Sequence, residues 1–408
     1  MKVESLVPRS GEADLSAVLK QVGRASSPPP FSEAAVDFCA AFATRLGRDP
    51  QARRYPELTA LAFWIRRAEL ERLRREFAAL ENDSLLRAPR GLVFHVPPGN
   101  VDTMFVYSWL LGLLCGNRNI IRLSRNRDEP VEILCRIAGE ALAEADPLLQ
   151  AGNAVVSYAH EAEINAALSA ACDTRVVWGG DSTVALFRHF PLAPHGTEIV
   201  FPDRFSFAAL RAEAVLALDE AALAQLAEQF YNDAYWFHQL GCSSPRLAVW
   251  VGTADACRAA GDRFFPAVAE TVRRKHYELP AAARMRRFTF ECESILDRPV
   301  AGRRDLGREL ACLRLETLED FSREHCGGGL FWEYFAEHLG EIETMLDRRD
   351  QTLTHFGFPA DELRAAARAW NGRGLDRIVP VGRALQFDRY WDGMDLFAAL
   401  TRCVAVQS

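Results

Sequence analysis

Residues 92–124 read LVFHVPPGNVDTMFVYSWLLGLLCGNRNIIRLS, and this stretch decides the fold. A short apolar run, Leu92–Val96, ends at a Pro-Pro-Gly-Asn turn, and a helix-length apolar segment leads to a second short run at residues 119–123. This order and spacing predict two strands joined by a crossover helix. Residues 104–115 are too few to cross a bilayer, which takes about 20 residues. They predict a buried helix.

The same alternation continues downstream. Asp128 is a candidate helix cap with Pro130 near the start of the helix. Further helices are predicted at residues 161–172 and 182–189, and further strands at 154–158, Thr174–Trp178 and 198–201. Such alternation is typical of a mostly parallel sheet covered on both faces, whose ligands bind at the carboxyl ends of the strands.

Four segments are predicted along the chain. Residues 1–90 form a helical lead-in, with helical periodicity over residues 58–80. A first α/β domain follows over residues 91–236, joined by residues 379–395, and a second over 237–378. The boundary near residue 237 follows from a long amphipathic helix at 219–236 and a strand at 246–251. Within the second domain we expect a strand at 310–315 and a helix after Thr317, and residues 396–408 form a closing strand that could serve in oligomerisation.

Composition excludes several classes of protein. Hydrophobic residues make up 49% of the 408 residues and charged residues 25%, as in ordinary soluble globular proteins. The net charge of −7 disfavours nucleic acid as the main partner. None of the ten cysteines forms a Cys-x-x-Cys pair, so we expect no metal site. With no apolar leader in residues 1–13 and no membrane span, the cysteines predict reduced thiols in a cytoplasmic protein.

Cys242 is the candidate nucleophile. It stands in a Gly-Cys-Ser-Ser-Pro turn between a predicted helix and a predicted strand, at the start of the second domain. A thiolate on a tight turn can attack an electrophile, with backbone amides close by to favour the charged form. A small buried hydrophobe is the alternative, because that is the usual state of a reduced cysteine.

Two polar residues at strand ends are candidates for the same chemistry. Asn100 ends the turn after the first strand, where a side-chain amide can donate a hydrogen bond to a developing oxyanion. Ordinary turn chemistry would equally explain a Gly-Asn pair after two prolines. Glu198 begins a strand and could act as a general base, or it could be a strand-end carboxylate in a salt bridge.

Two other strand ends could hold a nucleotide. Residues 179–182 read Gly-Gly-Asp-Ser between a strand and a helix, and glycines there let a pyrophosphate approach a helix N-terminus. The alternative is that Asp181 or Ser182 simply caps the helix. Arg122 and Ser124 close the second strand, where a cation and a hydroxyl could hold a ribose or its phosphate. A surface arginine is the other interpretation.

Taken in order, these segments resemble the aldehyde dehydrogenase superfamily. Residues 90–100 are similar to its first strand and Pro-x-Asn turn, and residues 116–124 to its Gly-Asn-x-x-Val-x-Lys-Pro-Ser strand. Residues 178–182 are similar to its Phe-Thr-Gly-Ser-Thr turn. Residues 239–242 resemble the segment that bears its nucleophilic cysteine, and residues 401–406 its closing strand.

More specifically, the chain resembles the LuxC-type acyl-CoA reductases, the reductase component of bacterial fatty-acid reductase. Residues 95–124, 241–245, 351–357 and 379–401 carry this resemblance, which covers about residues 90–405. It implies an aldehyde-dehydrogenase-like α/β fold. The first domain would be a Rossmann-type NAD(P)-binding domain and the second α/β domain the catalytic one.

The resemblance also implies roles for single residues. Cys242 would accept the acyl group, and Asn100 with the backbone amide of Cys242 would form the oxyanion hole. The superfamily's Glu-Leu-Gly-Gly-Lys segment is missing, so Glu198 is at most a possible base. The absence of this segment suits a reductase, because the superfamily's Glu activates water to hydrolyse a thioester and a reductase must avoid that hydrolysis. The residues implied for the cofactor are Arg122, Ser124, Gly179, Gly180, Ser182 and Glu309.

The expected function is NADPH-dependent reduction of a fatty acyl thioester to the aldehyde, with NADH as a possible alternative cofactor. The acyl donor would be acyl-CoA or an acylated carrier or ligase protein, and the resemblance implies a homo-oligomer. Two other functions stay open. One is NAD(P)-dependent oxidation of an aldehyde to the acid. The other is a non-reducing cysteine acyltransferase or acyl-carrier scaffold, favoured by Asp181 where the superfamily has Ser.

Overall fold

A computed structural model describes residues 1–407, which form two compact units. The first comprises Met1–Pro202 with the chain from Phe387 onward, and the second comprises Asp203–Gln386. The division falls at residue 203, upstream of the boundary that the sequence placed near residue 237. The reason is the strand Phe205–Arg211, which pairs in parallel with Pro245–Val251 and so begins the second sheet.

The first unit is built on a seven-stranded sheet, here called the first sheet. Its central strand is Leu92–Val96, which runs parallel to its neighbours on both sides and is buried at every position. Burial on both faces explains its unbroken apolar sequence. In spatial order the strands are Gly11–Asp14, Lys2–Val7, Asn153–Ser157, Arg118–Leu123, Leu92–Val96, Thr174–Trp178 and Thr197–Phe201.

Helices cover both faces of the first sheet. Met104–Leu114 is buried at every position, which confirms the predicted buried helix. No helix of the described residues is both long and apolar enough to span a bilayer. The α-helices of this unit are Leu15–Arg24, Glu33–Arg48, Pro56–Trp64, Arg67–Ala78, Met104–Leu114, Glu129–Ala143, Pro147–Gly152, Ala162–Ala171, Asp181–Arg188 and Leu396–Ala399, with a 3₁₀ turn at Ala52–Arg54.

The lead-in differs from its prediction in two ways. It is not wholly helical, because Lys2–Val7 and Gly11–Asp14 extend the first sheet as antiparallel strands. The single helical pattern over residues 58–80 is two helices, Pro56–Trp64 and Arg67–Ala78. The first of these stops at Ile65, whose backbone N–H bonds back to Leu61.

The second unit is built on another seven-stranded sheet, the second sheet, which is parallel except for the edge strand Val300–Asp305. Large apolar side chains bury both of its faces. In spatial order the strands are Val300–Asp305, Ala311–Leu315, Leu330–Ala336, Pro245–Val251, Phe205–Arg211, Asp350–Phe356 and Arg377–Pro380.

The helices of the second unit begin with Ala212–Leu216 and Glu220–Ala234, the latter capped by Asp219 through the backbone N–H of Ala222. The predicted helix after Thr317 is wrong: residues 318–329 are turn and irregular backbone that leads into Leu330–Ala336. The remaining helical segments are Trp236–Gln239 (3₁₀), Ala254–Arg274, Ala281–Asp297, Leu339–Thr344 (3₁₀) and Ala360–Trp370.

Two small hairpin-like pairs complete the first unit. The closing strand Thr401–Ala405 pairs antiparallel with Leu85–Pro89, and Tyr390–Trp391 pairs with Met394–Asp395. The closing strand therefore has a partner within its own unit, and its use in oligomerisation stays a prediction.

Candidate functional site

The carboxyl edge of the first sheet gathers three of the predicted positions. The strands that end before Asn100, Ser124 and Gly179 are neighbours and run parallel. From the central strand Leu92–Val96, the chain first adds strands on one side of the sheet. It then crosses back and adds Thr174–Trp178 on the other side, so the strand order reverses between Leu92–Val96 and Thr174–Trp178. Such a switch point is where open α/β sheets bind nucleotides.

The turn after Thr174–Trp178 has the features of an anion site. The backbone N–H of Gly179 donates to Phe201, and Gly180 is the N-cap of the helix Asp181–Arg188 with no side-chain cap bond. Backbone N–H groups at a helix N-terminus attract phosphate oxygens. Asp181 and Ser182 are exposed in the first turn, so the hydroxyl fits a pyrophosphate while the carboxylate opposes it.

Arg122 and Ser124 form a second polar group on this edge. The guanidinium of Arg122 lies 5.3 Å from the ring centre of Tyr158, and its buried Nε has no hydrogen-bond partner among the described residues. Ser124 is exposed, and its Oγ accepts from the backbone N–H of Asn126 at 3.3 Å. A cation with an unused donor beside an exposed hydroxyl fits a ribose or a ribose phosphate.

Asn100 lies in the exposed turn between these two groups. Beside the turn is a small cavity of about 50 Å³ lined by Pro98, Gly99, Ser124 and their neighbours. Ser124 and the Asn100 turn thus border the same space at the sheet edge. The residues present on this edge fit a dinucleotide, apart from the charge of Asp181.

Glu198 is held in ion pairs. Its carboxylate accepts from the buried guanidinium of Arg175, at 3.1 Å from Nε and 2.5 Å from Nη2, and from Nε of Arg188 at 3.2 Å. A carboxylate that neutralises a buried arginine already has a structural role, since removing it would leave that charge unpaired. These contacts favour the salt-bridge interpretation of Glu198.

Glu309 belongs to the second unit. It precedes the strand Ala311–Leu315, and its backbone carbonyl accepts from the hydroxyl of Tyr235 at 3.0 Å. This contact does not involve the carboxylate, and the ribose-binding role of Glu309 stays a prediction.

Cys242 lies at the amino edge of the second sheet, in the segment 236–244, here called the cysteine loop. Three consecutive non-glycine residues of this loop, Phe237, His238 and Gln239, have left-handed backbone with φ of 54°, 54° and 64°. Each such residue costs on the order of 1 kcal/mol, so surrounding contacts must hold the loop in place.

Gln239 supplies the main contacts that hold the cysteine loop. Its side chain is 1% exposed. Its amide donates to the carbonyls of Pro245 at 3.0 Å and Leu330 at 3.2 Å, and its oxygen accepts from the backbone N–H of Gly329 at 2.9 Å. One buried side chain thereby joins the loop to two strands and to the glycine turn at residues 327–329.

Side chains from neighbouring strands hold the loop near Cys242 itself. Ser206 donates its hydroxyl to the carbonyl of Cys242 at 2.7 Å. Ser243 donates to Oε1 of Gln351 at 2.9 Å. These bonds hold the backbone that follows the Cys242 thiol, and the thiol itself is half-buried.

Arg246 gives this edge its positive charge. Its Nη2 donates to the carbonyl of Gly241 at 3.3 Å, one residue before Cys242, and its Nη1 donates to that of Arg204 at 2.8 Å. Burial lowers the pKa of the Arg246 guanidinium, while negative charge on Cys242 and on Asp203 acts to raise it. Because such an interaction is mutual, the guanidinium favours the thiolate form of Cys242.

Other cysteines lie in different surroundings. Burial raises the pKa of Cys257 and Cys172 to about 12, and that of half-buried Cys326 to about 12 as well. Cys292 and Cys403 are exposed. A half-buried thiol beside a partly buried cation is the setting of reactive cysteines, and Cys242 has it.

Each unit therefore gathers its own part of the predicted site. Sequence reasoning missed Gln239 and Arg246. Gln239 lies in the quoted segment 239–242, but only the structure reveals its three bonds. Arg246 stands four residues after Cys242 at the start of an apolar strand, and a cation in that position was the available signal. Within residues 1–407, no group of three or more His, Cys, Asp or Glu side chains is placed to hold a metal ion.

Comparison with solved structures identifies the class of fold. Aldehyde dehydrogenase 21 from Physcomitrella patens, solved with the reaction product succinate, has a TM-score of 0.70 and 11% identity over 100% of this chain and 94% of its own. The aldehyde dehydrogenase KauB from Pseudomonas aeruginosa has a TM-score of 0.69 and 13% identity over 100% and 92%. The predicted aldehyde-dehydrogenase-like α/β fold is confirmed.

A longer protein also contains this fold. Proline utilization A from Bradyrhizobium japonicum matches with a TM-score of 0.67 and 14% identity over 96% of this chain, which spans only 44% of that protein's length. No curated protein matches the chain.

A family model described as acyl-CoA reductase (LuxC) matches residues 51–287, more than half of the 408 residues. The chain belongs to the LuxC acyl-CoA reductase family. The description of that family is of acyl-CoA reductases, which are oxidoreductases that act on acyl substrates.

Proposed function

We propose that this chain reduces an acyl thioester to the corresponding aldehyde through an acyl group held on Cys242, with NADPH as reductant. The observation that carries the proposal is the half-buried Cys242, fixed in its loop beside Arg246 and included in the family match over residues 51–287. The same match includes Asn100 and Arg122.

Acyl transfer is the first step. The Cys242 thiolate attacks the carbonyl carbon of the donor thioester, a carbon–sulfur bond forms, and the bond to the donor sulfur breaks. The donor leaves as a thiolate and takes a proton from solvent. One thioester replaces another, so the step needs little driving force. Its rate follows the thiolate fraction of Cys242, which Arg246 increases.

The carbonyl oxygen carries negative charge in each tetrahedral state. We assign the side-chain amide of Asn100 and the backbone N–H of Cys242 as its hydrogen-bond donors. One such donor contributes about 3 kcal/mol to the transition state. The bonds from Ser206 and Ser243 hold the backbone of Cys242 so that its N–H is fixed before the reaction begins.

A bound nicotinamide cofactor would supply the hydride that reduces the acyl carbon. The hemithioacetal on Cys242 then collapses: its carbon–sulfur bond breaks, the carbonyl re-forms as the aldehyde, and the thiolate is regenerated. Arg122 and Ser124 would hold the adenosine ribose, with Arg122 favouring the 2′-phosphate of NADPH over NADH. The other residues assigned to the cofactor are Gly179, Gly180, Ser182 and Glu309.

Aldehyde rather than acid is the proposed product. Oxidation to an acid needs a base that activates water against the thioester, and Glu198 was the candidate on this chain. The carboxylate of Glu198 is already engaged in ion pairs with Arg175 and Arg188, so we do not assign it as that base. The bound acyl group is therefore kept for reduction. The donor is acyl-CoA or an acylated protein in the cytoplasm, where a reduced thiol persists.

Intact-protein mass spectrometry tests the acyl step. The protein is incubated with acyl-CoAs of increasing chain length and without nucleotide. We expect one added acyl mass, removed by hydroxylamine, in the wild type and in Cys326→Ala, and none in Cys242→Ala. Cys326 is the matched control because it is also half-buried but has a raised pKa. An acyl mass that persists in Cys242→Ala contradicts the proposal.

A further inference from the structure

Asp233 is a buried carboxylate that the proposed reaction does not use. It lies in the last turn of the helix Glu220–Ala234 and is 1% exposed. Burial raises its pKa to about 7, and the carbonyl end of a helix disfavours negative charge as well. A carboxylate in such a place must be held by specific hydrogen bonds, since burying it without partners is costly.

Both oxygens of Asp233 accept hydrogen bonds from one turn of the chain. Oδ2 accepts from the backbone N–H of Gly382 at 2.6 Å, and Oδ1 accepts from that of Ala384 at 2.8 Å. Gly382 has a φ of 92°, and a Cβ at this position would lie 2.9 Å from Cβ of Gln229 on the same helix. Glycine therefore lets the turn approach the helix closely enough for both bonds.

Arg377 also bonds to this turn. Its Nη1 donates to the carbonyl of Ala384 at 3.2 Å, and its Nη2 donates to that of Gln386 at 3.5 Å. Residues 381–386, here called the 381–386 segment, contain no helix or strand. Side-chain bonds from Asp233 and Arg377 take the place of regular backbone pairing and give the segment a fixed course.

The 381–386 segment packs against the cysteine loop. A methyl group added to Gly241 would lie 3.3 Å from Cδ2 of Leu385, so Leu385 covers the backbone of the residue directly before Cys242. The carbonyl of Gly241 accepts from Nη2 of Arg246 at 3.3 Å. Gly241 is therefore contacted both by the 381–386 segment and by the cation that favours the thiolate of Cys242.

We propose that Asp233 is a positioning residue for the nucleophile. Through the 381–386 segment and Leu385 it holds Gly241, and with it Cys242, in place beside Arg246. The inference rests on the proposed function in one respect, the role of Cys242 as the nucleophile. Without the two bonds of Asp233, the turn that carries Leu385 is released from the helix. The cysteine loop can then move away from the guanidinium, and the thiolate loses part of its stabilisation.

Alkylation of Cys242 by iodoacetamide tests the inference on the folded full chain. It is measured by peptide mass spectrometry at pH 8, where the Asp233 carboxyl is mostly ionised. We expect about tenfold slower alkylation in Asp233→Asn, whose amide keeps a single acceptor oxygen, because the rate follows the thiolate fraction. Exposed Cys292 is the internal reference, and its rate should not change. A wild-type rate at Cys242 in a folded Asp233→Asn protein overturns the proposal.

A matched control separates Asp233 from other carboxylates that bond to backbone. Oδ1 of Asp49 also accepts from two backbone N–H groups, those of Gln51 and Ala52, both at 2.9 Å, but Asp49 lies in the first unit. Asp49→Asn should therefore alkylate at the wild-type rate. If it slows Cys242 as much as Asp233→Asn does, the effect is general destabilisation and the proposal is wrong.

Leu385→Ala tests the contact with Gly241 and leaves the carboxylate in place, so it serves even if Asp233→Asn does not fold. We expect about tenfold slower alkylation here too. The double variant Asp233→Asn/Leu385→Ala should be no slower than the slower single variant, because both residues act along one path. Single effects that multiply in the double variant would mean two separate paths and would overturn the proposal.

Steady-state kinetics distinguishes positioning from a purely structural role. In both single variants kcat for acyl-CoA reduction should fall by about the same factor as alkylation. The KM for NADPH should hold, because the first-unit residues assigned to the cofactor take no part in these contacts. Lower stability in urea with unchanged alkylation and kcat would make Asp233 structural only. Alkylation requires neither acyl-CoA nor NADPH, so it tests the positioning of Cys242 even if the chain proves not to reduce acyl thioesters.

Discussion

Replacing Gln239 by leucine removes the contacts that hold the cysteine loop while preserving the size of the side chain. The amide makes three bonds, at 3.0, 3.2 and 2.9 Å, in a site that is 1% exposed. At about 1 kcal/mol net for each bond, the variant should lose about 3 kcal/mol of unfolding free energy. The left-handed backbone of Phe237 and His238 then lacks a principal restraint.

Two readouts follow the loss. Urea denaturation measures the change in unfolding free energy. Turnover with NADPH and an acyl-CoA measures kcat, which reports on the geometry around Cys242. We expect kcat to fall about 100-fold, since a displacement of roughly 1 Å at Cys242 is enough for that. Mass spectrometry of the acylated enzyme shows whether acyl transfer is the step that slows.

Gln150→Leu is the matched control for this variant. Gln150 also donates to two carbonyls, those of Ala143 and Ala145, but it is half-buried in the first unit. Water can replace its bonds, so we expect a loss below about 1 kcal/mol and unchanged turnover. If Gln239→Leu loses as little unfolding free energy as this control and keeps its kcat, Gln239 does not hold the cysteine loop in place.

Three further variants test separate parts of the account. Arg246→Met should slow alkylation of Cys242 by iodoacetamide at neutral pH and move the midpoint of its pH profile upward, because the thiolate loses a neighbouring cation. Asn100→Ala should lower kcat by about 100-fold and leave Cys242 alkylation unchanged, as removal of an oxyanion donor does. Burial raises the pKa of Asp233 to about 7, so its contribution to stability is full below about pH 4 and is lost as pH rises through 7. Urea denaturation should show that the free energy of unfolding of the wild type falls by about 2–3 kcal/mol between pH 5 and pH 8. The Asp233→Asn variant should not show this fall.

The five parallel strands of the first sheet could be predicted from the sequence, whereas its two antiparallel edge strands could not. Its central strands and crossover helices are short, bounded by turns, and apolar on the faces they bury, so local pattern and tertiary structure agree. Leu92–Val96 and Thr174–Trp178 were predicted to the residue. The alternation also places Asn100, Ser124 and Gly179 on one sheet edge, and the structure confirms that placement.

Other elements could not be read from the local pattern. Lys2–Val7 mixes charged and apolar residues and becomes a strand only through pairing with the edge of the first sheet. Phe205–Arg211 was missed although it is an apolar run that directly follows the predicted strand at 198–201. The three bonds of Gln239 join residues up to 91 positions apart, and no local spacing reports such contacts.

The central claim is that Cys242 carries an acyl group to reduction rather than to hydrolysis. The most direct measurement mixes the purified chain with NADPH and a series of acyl-CoAs, and follows NADPH loss together with trapped aldehyde. We expect one aldehyde to form for each NADPH consumed, with both aldehyde formation and NADPH consumption lost in Cys242→Ala. Release of free acid without NADPH loss, or aldehyde formation that survives in Cys242→Ala, would contradict it.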